Sequence, residues 1–388
     1  MITGHDIICL STQDWSDLWT RKQRFMRRFA RQGNRVLYVE TQASLVSYGL
    51  LRSDAGRAWR WLRGPRIVEP NLHVATLPLV MPAFQMSLAI NRCNNAVLAP
   101  LLRSWIRRLG FRNPVLWTYA PHTESFVGHL TEKLAIYDCV DEFAASRGMV
   151  RRQVVEELER RLLAKVSLAI VTHEALRRSK RRPGLPVHLI PNAAETDHFR
   201  LAAAPDTPAP PLLAAIPHPI VGFVGALEYW IDFDLLRFLA LARPDWSIVL
   251  VGPVGRLARI SKIKALPNVH LLGRQPYAEL PSFLKAFDVC LNPYVVDEVA
   301  ANCSPLKLYE YLASGRPVVS VDMPAAGEFR GAVAIGRDYA DLLGQIDEAL
   351  ATPDADGRLA AGRMLAAAPH SWDNRFRALE SVLAPYLQ

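Results

Sequence analysis

Two doubly wound α/β domains in series are predicted by this sequence, and three observations predict them. The chain of 388 residues is longer than one hydrophobic core comfortably organises and suits two domains of ~150 to 200 residues each. Short β-branched or apolar runs alternate with longer helical patterns throughout, the signature of parallel sheets covered by helices. The stretch 201–219 breaks that alternation with six prolines, which sustain neither a helix nor a central strand. The resulting division is a first domain at 1–200, a Pro/Ala-rich linker at 201–218 and a second domain at 219–388.

In the first domain, strands are expected at 6–10, 36–39, 72–77, 115–119, 134–137, 168–172 and 187–190. Helices fill the gaps at 18–31, 84–109, 150–165 and 174–181. Beyond the linker, IVGFVGA, WSIVLVG, VHLLG, DVCLNPY and PVVSVD read as strands. Helices near 232–241, 256–265, 277–286 and 305–313 separate them. Several of these strands end in Gly or Pro, where open α/β sheets place their ligands. The tail at 371–386 carries Trp372, Phe376, Leu379, Val382 and Leu383 close to helical spacing, so it is expected to form an amphipathic helix that packs back toward the first domain.

Composition narrows the class. With 50% hydrophobic and 21% charged residues the chain buries cores and is not disordered. No uncharged stretch reaches the ~18 to 20 apolar residues of a membrane span, and no basic-then-apolar leader follows Met1. Five cysteines without a close pair read as reduced cytosolic thiols. The net charge of +9 is uneven: residues 1–200 hold 30 Lys+Arg against 17 Asp+Glu, or +13, and the remainder comes to −4. Arg clusters such as Arg57-Arg60-Arg63-Arg66 suit an anionic bilayer, an acidic substrate or a nucleic acid. The last is disfavoured because the clusters lack interleaved aromatics. A dinucleotide oxidoreductase is disfavoured too, for want of a glycine fingerprint in either domain.

The most specific stretch is NCSPLKLYEYLASGRPVVS, residues 302–320. Ser304 stands where an N-cap belongs, Pro305 fits the first helical position, and Gly315 ends the helix. Such a helix start attracts phosphate, and Lys307 adds a full charge. Glu310, three residues on, is a carboxylate able to accept from two ribose hydroxyls. A local Lys-Glu pair on a capped core helix explains the same spacing.

The run of GFVGALEYWIDFDLL, VGP, LPNVHLLGRQPYAELPSFLKAFDVCLNPY and SPLKLYEYLASGRPVVS resembles the nucleotide-sugar domain of GT-B glycosyltransferases. The likeness is above all to bacterial cell-surface polysaccharide enzymes of the teichuronic acid type and, more remotely, to xanthan glucuronosyltransferase. DWSDLWTRKQRFMRRFARQGNRVLYVE and YDCVDEF extend it into the first half. The resemblance implies two Rossmann-like domains facing across a cleft. It assigns Glu310 to the donor ribose, Lys307 to the diphosphate and Gly225 to the close approach of phosphates, with Ser304, Pro305 and Leu306 counted among the donor-binding residues. Arg274 and Gln275 then lie in the base-reading loop, and Tyr294 faces the donor. Two departures stand out: Asn302 occupies a position that is Glu in many retaining members, and GALEYWID lacks the usual Arg and Lys.

On the acceptor side, a sugar hydroxyl needs a base near neutral pH. The resemblance puts Asp141 of YDCVDEF in that place, with His122 of WTYAPHTE as the second candidate; Asp138 is read equally as an ion-pair partner. In DWSDLW, Trp15 would stack on a sugar, while Arg21 and Arg24 would hold an acceptor pyrophosphate. A Trp15–Trp19 contact at i, i+4 is the alternative. The expected protein is a glycosyltransferase of surface polysaccharide synthesis, cytoplasmic and peripheral to the inner membrane face. It would take a nucleoside diphosphate sugar, UDP-sugar first, to a glycan or lipid-linked acceptor without a cofactor or a metal. The alternative is a catalytically silent nucleotide-sugar-binding protein.

Overall fold

The computed structural model describes residues 1–16, 18–44 and 56–387; of residues 57 and 58 only the backbone is described. Two compact units result, Met1–Pro191 with Phe376–Gln388, and Asn192–Arg375.

Among the described residues the first unit is built on an eight-stranded sheet. Its strands are β1 (Asp6–Leu10), β2 (Arg35–Val39), β3 (Arg66–Glu69), β4 (Leu72–Ala75), β5 (Val115–Thr118), β6 (Leu134–Cys139), β7 (Leu168–Val171) and β8 (Val187–Leu189). They lie in the order β3-β4-β2-β1-β5-β6-β7-β8, parallel except for the edge pair β3–β4. The inner strands are apolar almost throughout because both faces are covered. The sequence gives no hint of β3, since Arg66 and Ile67 are exposed and no alternation marks the strand. The helix Arg21–Arg31 begins three residues later than expected, at a capping box made by Thr20 and Gln23.

The second unit holds a six-stranded parallel sheet, β9 (Ile220–Val224), β10 (Ser247–Val251), β11 (Val269–Gly273), β12 (Val289–Asn292), β13 (Val318–Val321) and β14 (Ala334–Gly336). Their order is β11-β10-β9-β12-β13-β14. Gly222 in β9 allows Phe287 to press against the strand: a Cβ there would lie 2.1 Å from the ring. Gly222→Ala is expected to cost about 1–3 kcal/mol, the range for overpacking a core, measured by urea denaturation.

Three expectations are corrected. The helix near 256–265 is absent apart from a turn at Ile260–Lys262. The preceding loop is spent on tertiary pairing, with Leu227 N–H donating to the Pro253 carbonyl and Gly255 N–H to that of Leu227. The stretch 201–218 is no free linker, and the units divide earlier, at Pro191/Asn192. Ala202 and Leu213 are buried in the second core, and the Lys285 ammonium donates to the carbonyls of Ala204, Pro205 and Thr207 at 2.7, 2.9 and 2.8 Å. The last helix, Trp372–Leu387, does return to the first unit, where Phe376 meets Phe29 with ring centroids 4.7 Å apart.

Candidate functional site

In the second unit the loops after β9, β10 and β12 and the helix Leu306–Ser314 converge at one end of the sheet. Gly225 follows β9, and a Cβ there would come within 3.0 Å of Cε of Lys307, so the lysine stem lies across the glycine. Gly252 follows β10 with φ 153°, and its missing side chain admits the Gly225 carbonyl, which would be 1.8 Å from a Cβ. Two glycines therefore keep a backbone floor beneath the Lys307 side chain. The Lys307 ammonium donates to Glu310 Oε2 at 2.8 Å, and Glu310 is buried. Both halves of the predicted phosphate-and-ribose constellation thus sit together, held by the local pair that the spacing also allowed.

The helix start differs from the expectation. Pro305 itself takes the N-cap position, and no side chain caps the first turn. Ser304 is drawn elsewhere: its hydroxyl shares a 2.9 Å hydrogen bond with the Tyr309 hydroxyl and accepts one from Asn192 N–H. The N–H groups beginning at Leu306 therefore lack a side-chain acceptor, which suits an anion. Gly315 ends the helix in the left-handed region at φ 77°, as its position implies.

Around this centre, Arg274 is exposed after β11, and Gln275 donates to the Leu272 carbonyl at 2.7 Å. Tyr294 is half-buried in the loop after β12, where its backbone bridges Ile231. Asn302 ends a short helix and donates to the Glu298 carbonyl at 2.7 Å. Glu228 was not singled out from the sequence. Its carboxylate lies over Gly255, and burial pushes its pKa up, partly offset by the Tyr229 N–H.

In the first unit the candidates follow β1, β5 and β6. Asp138 is wholly buried and grips Arg21 Nε through both oxygens at 2.9 and 3.0 Å, while Arg21 Nη1 donates to the Ile190 carbonyl at 2.7 Å. Arg21 is therefore corrected: an arginine 1% exposed and committed to an internal carboxylate is a core strut and cannot reach an acceptor pyrophosphate. Trp15 packs edge-on against Trp19 at 4.9 Å and Tyr38 at 5.1 Å, the i, i+4 contact. Arg24 lays its guanidinium 5.3 Å from the Trp19 ring. Asp17 of the same motif lies outside the described residues.

The Asp141 side chain is exposed at the surface; desolvation by the protein around it raises its pKa, and the Lys22 ammonium pulls the other way. Lys22 is a second residue that sequence reasoning missed. It is buried, its pKa is lowered by that burial against the pull of Asp141 and Asp138, and its ammonium lies 5.3 Å from the Tyr119 ring. Its place beside Arg21 in a basic run hid it, because only the helical turn separates the two side chains. His122 is buried against Phe84, with ring centroids 5.1 Å apart, and burial pulls its pKa down to about 4. It is neutral at pH 7.

Two Rossmann-like units in one chain, the second with a basic helix start over a glycine floor, have the make-up of the GT-B fold. Residues 218–352 match the family model described as glycosyl transferases group 1. TuaH of Bacillus subtilis, a protein assigned by name to teichuronic acid biosynthesis, is 28% identical over 208 residues. That match takes in 50% of this chain and 52% of TuaH, so the likeness spans about half of the curated relative. Among solved structures, the trehalose-phosphate synthase of Burkholderia vietnamiensis superposes with a TM-score of 0.71 at 15% identity, over 100% of this chain and 99% of its own. The sucrose-phosphate synthase of Thermosynechococcus elongatus gives 0.73 at 15% identity, over 98% and 99%. An Escherichia coli trehalose-6-phosphate structure bound with UDP-2-fluoro glucose gives 0.68 at 13%, over 99% of each chain. These likenesses establish the fold.

Proposed function

We propose that this chain is a glycosyltransferase that moves a sugar from a nucleoside diphosphate donor to a hydroxyl of a glycan or lipid-linked acceptor in surface polysaccharide synthesis. The observation that carries the reading is Lys307 lying across Gly225 and paired with the buried Glu310 at an uncapped helix start. The group 1 match over the same unit supports it. In the reaction the acceptor oxygen bonds to the anomeric carbon as the bond from that carbon to the diphosphate oxygen breaks. The electron pair leaves with the nucleoside diphosphate. Lys307 and the helix N–H groups offset the charge that develops there. Glu310 holds the ribose, and Asp141 takes the proton of the acceptor hydroxyl.

UDP-sugars are the first donors to test. A donor present at 100 times its Kd raises stability by about 2.7 kcal/mol, so thermal-shift screening across UDP-, GDP- and dTDP-sugars is expected to give a clear rise with one nucleotide. No rise with any of them would remove the donor site. Two observations favour a second reading, a catalytically silent nucleotide-sugar-binding protein: Asn302 holds a helix carbonyl where many retaining enzymes carry Glu, and GALEYWID has no cation for the phosphates. Slow donor hydrolysis by the purified protein is expected and would exclude that reading. No described helix is long and apolar enough to cross a membrane. The location proposed is the inner membrane face, reached peripherally from the cytoplasm and drawn by the basic first half.

A further inference from the structure

We propose that the corner formed by residues 59–67 of the first unit inserts shallowly into an anionic lipid bilayer. This deepens the proposed membrane location by naming the surface that makes it. A short helix, Arg57–Arg60, runs into a 3-10 turn, Trp61–Arg63, then through Gly64 at φ 67° into the edge strand β3. Trp59, Leu62 and Ile67 stand 67%, 60% and 72% exposed at this corner. Trp59 and Leu62 are three residues apart along one helical path and so share a face.

Positive charge flanks that apolar tip. Arg63 and Arg66 are exposed within it. Gly64 adds a second source, since a Cβ there would lie 3.5 Å from Nη1 of Arg108 and 3.7 Å from Nε1 of Trp105. The long helix Leu88–Arg108 therefore ends beside the corner with Arg107 and Arg108 in its last turn, both exposed. The nearby carboxylate, Glu69 of β3, is already engaged by Arg27 and Arg31. Arg63, Arg66, Arg107 and Arg108 enter no ion pair among the described residues.

An exposed Trp with exposed aliphatic neighbours flanked by arginines matches the boundary between lipid headgroups and acyl chains. The indole and alkyl groups reach the apolar layer while the guanidiniums meet phosphates. A second copy of the chain fits worse, because a two-fold contact would set the arginines of one corner against those of the other. A nucleic acid fits worse as well, since Leu62 and Ile67 offer no ring for stacking.

Co-sedimentation of the full chain with phosphatidylglycerol-rich and pure phosphatidylcholine vesicles tests the proposal. Wild type is expected to bind the former at low salt and to be released at high salt. Arginines near such a surface are attracted to it, so Arg63→Glu with Arg66→Glu should weaken binding at least ~10-fold and flatten its salt dependence. Trp59→Ser with Leu62→Ser should weaken it ~10-fold or more while keeping the salt dependence. Ile67→Ser, on a separate element, should weaken it less and serves if the double variant misfolds. Wild-type vesicle affinity in all three variants overturns the proposal, as does failure of the wild type to bind at low salt. So does a dimer seen by light scattering that Trp59→Ser with Leu62→Ser dissolves. Donor thermal shifts on the same samples should be unchanged, so loss of vesicle binding with an intact donor shift separates this inference from the glycosyltransferase reading.

Discussion

Asp141→Asn is expected to reduce sugar transfer ~100- to 10,000-fold, the usual contribution of a general base, with donor affinity unchanged. The reason lies in what the residue would do: it takes a proton from the acceptor and holds no part of the nucleotide. The pH profile adds a second signature. Surrounding protein raises the Asp141 pKa, so the acidic limb of kcat/KM, which reports the free enzyme, should be shifted upward from that of an ordinary Asp, with activity lost as pH drops through it. His122 makes the opposite forecast, because its pKa of about 4 would put the limb low. Stability carries its own sign. A carboxyl whose folded pKa is raised favours the fold below its unfolded pKa, and that contribution disappears as pH rises through the folded value. Asp141→Asn should therefore melt no lower than wild type at neutral pH. Near-normal turnover in Asp141→Asn, with turnover lost in His122→Ala, would transfer the role to His122.

Lys307→Ala and Glu310→Ala should each weaken donor binding ~10-fold or more, since hydrogen bonds to charged groups are worth about 1.5–3 kcal/mol. Isothermal calorimetry reads the effect directly. The two residues bind each other at 2.8 Å, so their effects should not add: removing one frees the other from its internal partner. The double variant is expected to lose less than the product of the single losses. Wild-type affinity in both single variants would mean that the pair is only a helix brace and the donor site lies elsewhere.

What could be read in advance followed the physics that produces the signal. Strands such as Ile220–Val224 and Ser247–Val251 announce themselves because burial on both faces demands an unbroken apolar run. Gly315 does so because a left-handed helix end favours glycine. Lys307 and Glu310 were legible because their partnership spans one helical turn. The burial of Arg21 was not, since its carboxylate partner, Asp138, is 117 residues away. Lys22 was hidden doubly, by its place in a basic run and because the carboxylates that attract it, Asp141 and Asp138, are distant in sequence. The 201–218 stretch misled in the other direction: prolines forbid regular structure but not burial, and Lys285 supplies by side chain the donors that a sheet would have given.

The first unit is assembled from Met1–Pro191 and Phe376–Gln388, which fixes an order of events during synthesis. Translation at ~5–20 residues per second leaves the first segment waiting roughly 10–40 s before Phe376 emerges to cover Phe25 and Phe29. Throughout that interval the nascent chain carries an uncovered apolar face on one unit while the intervening unit is free to fold. A chain cut short just before Phe376 would hold an intact second unit and an unfinished first, a natural client for chaperones.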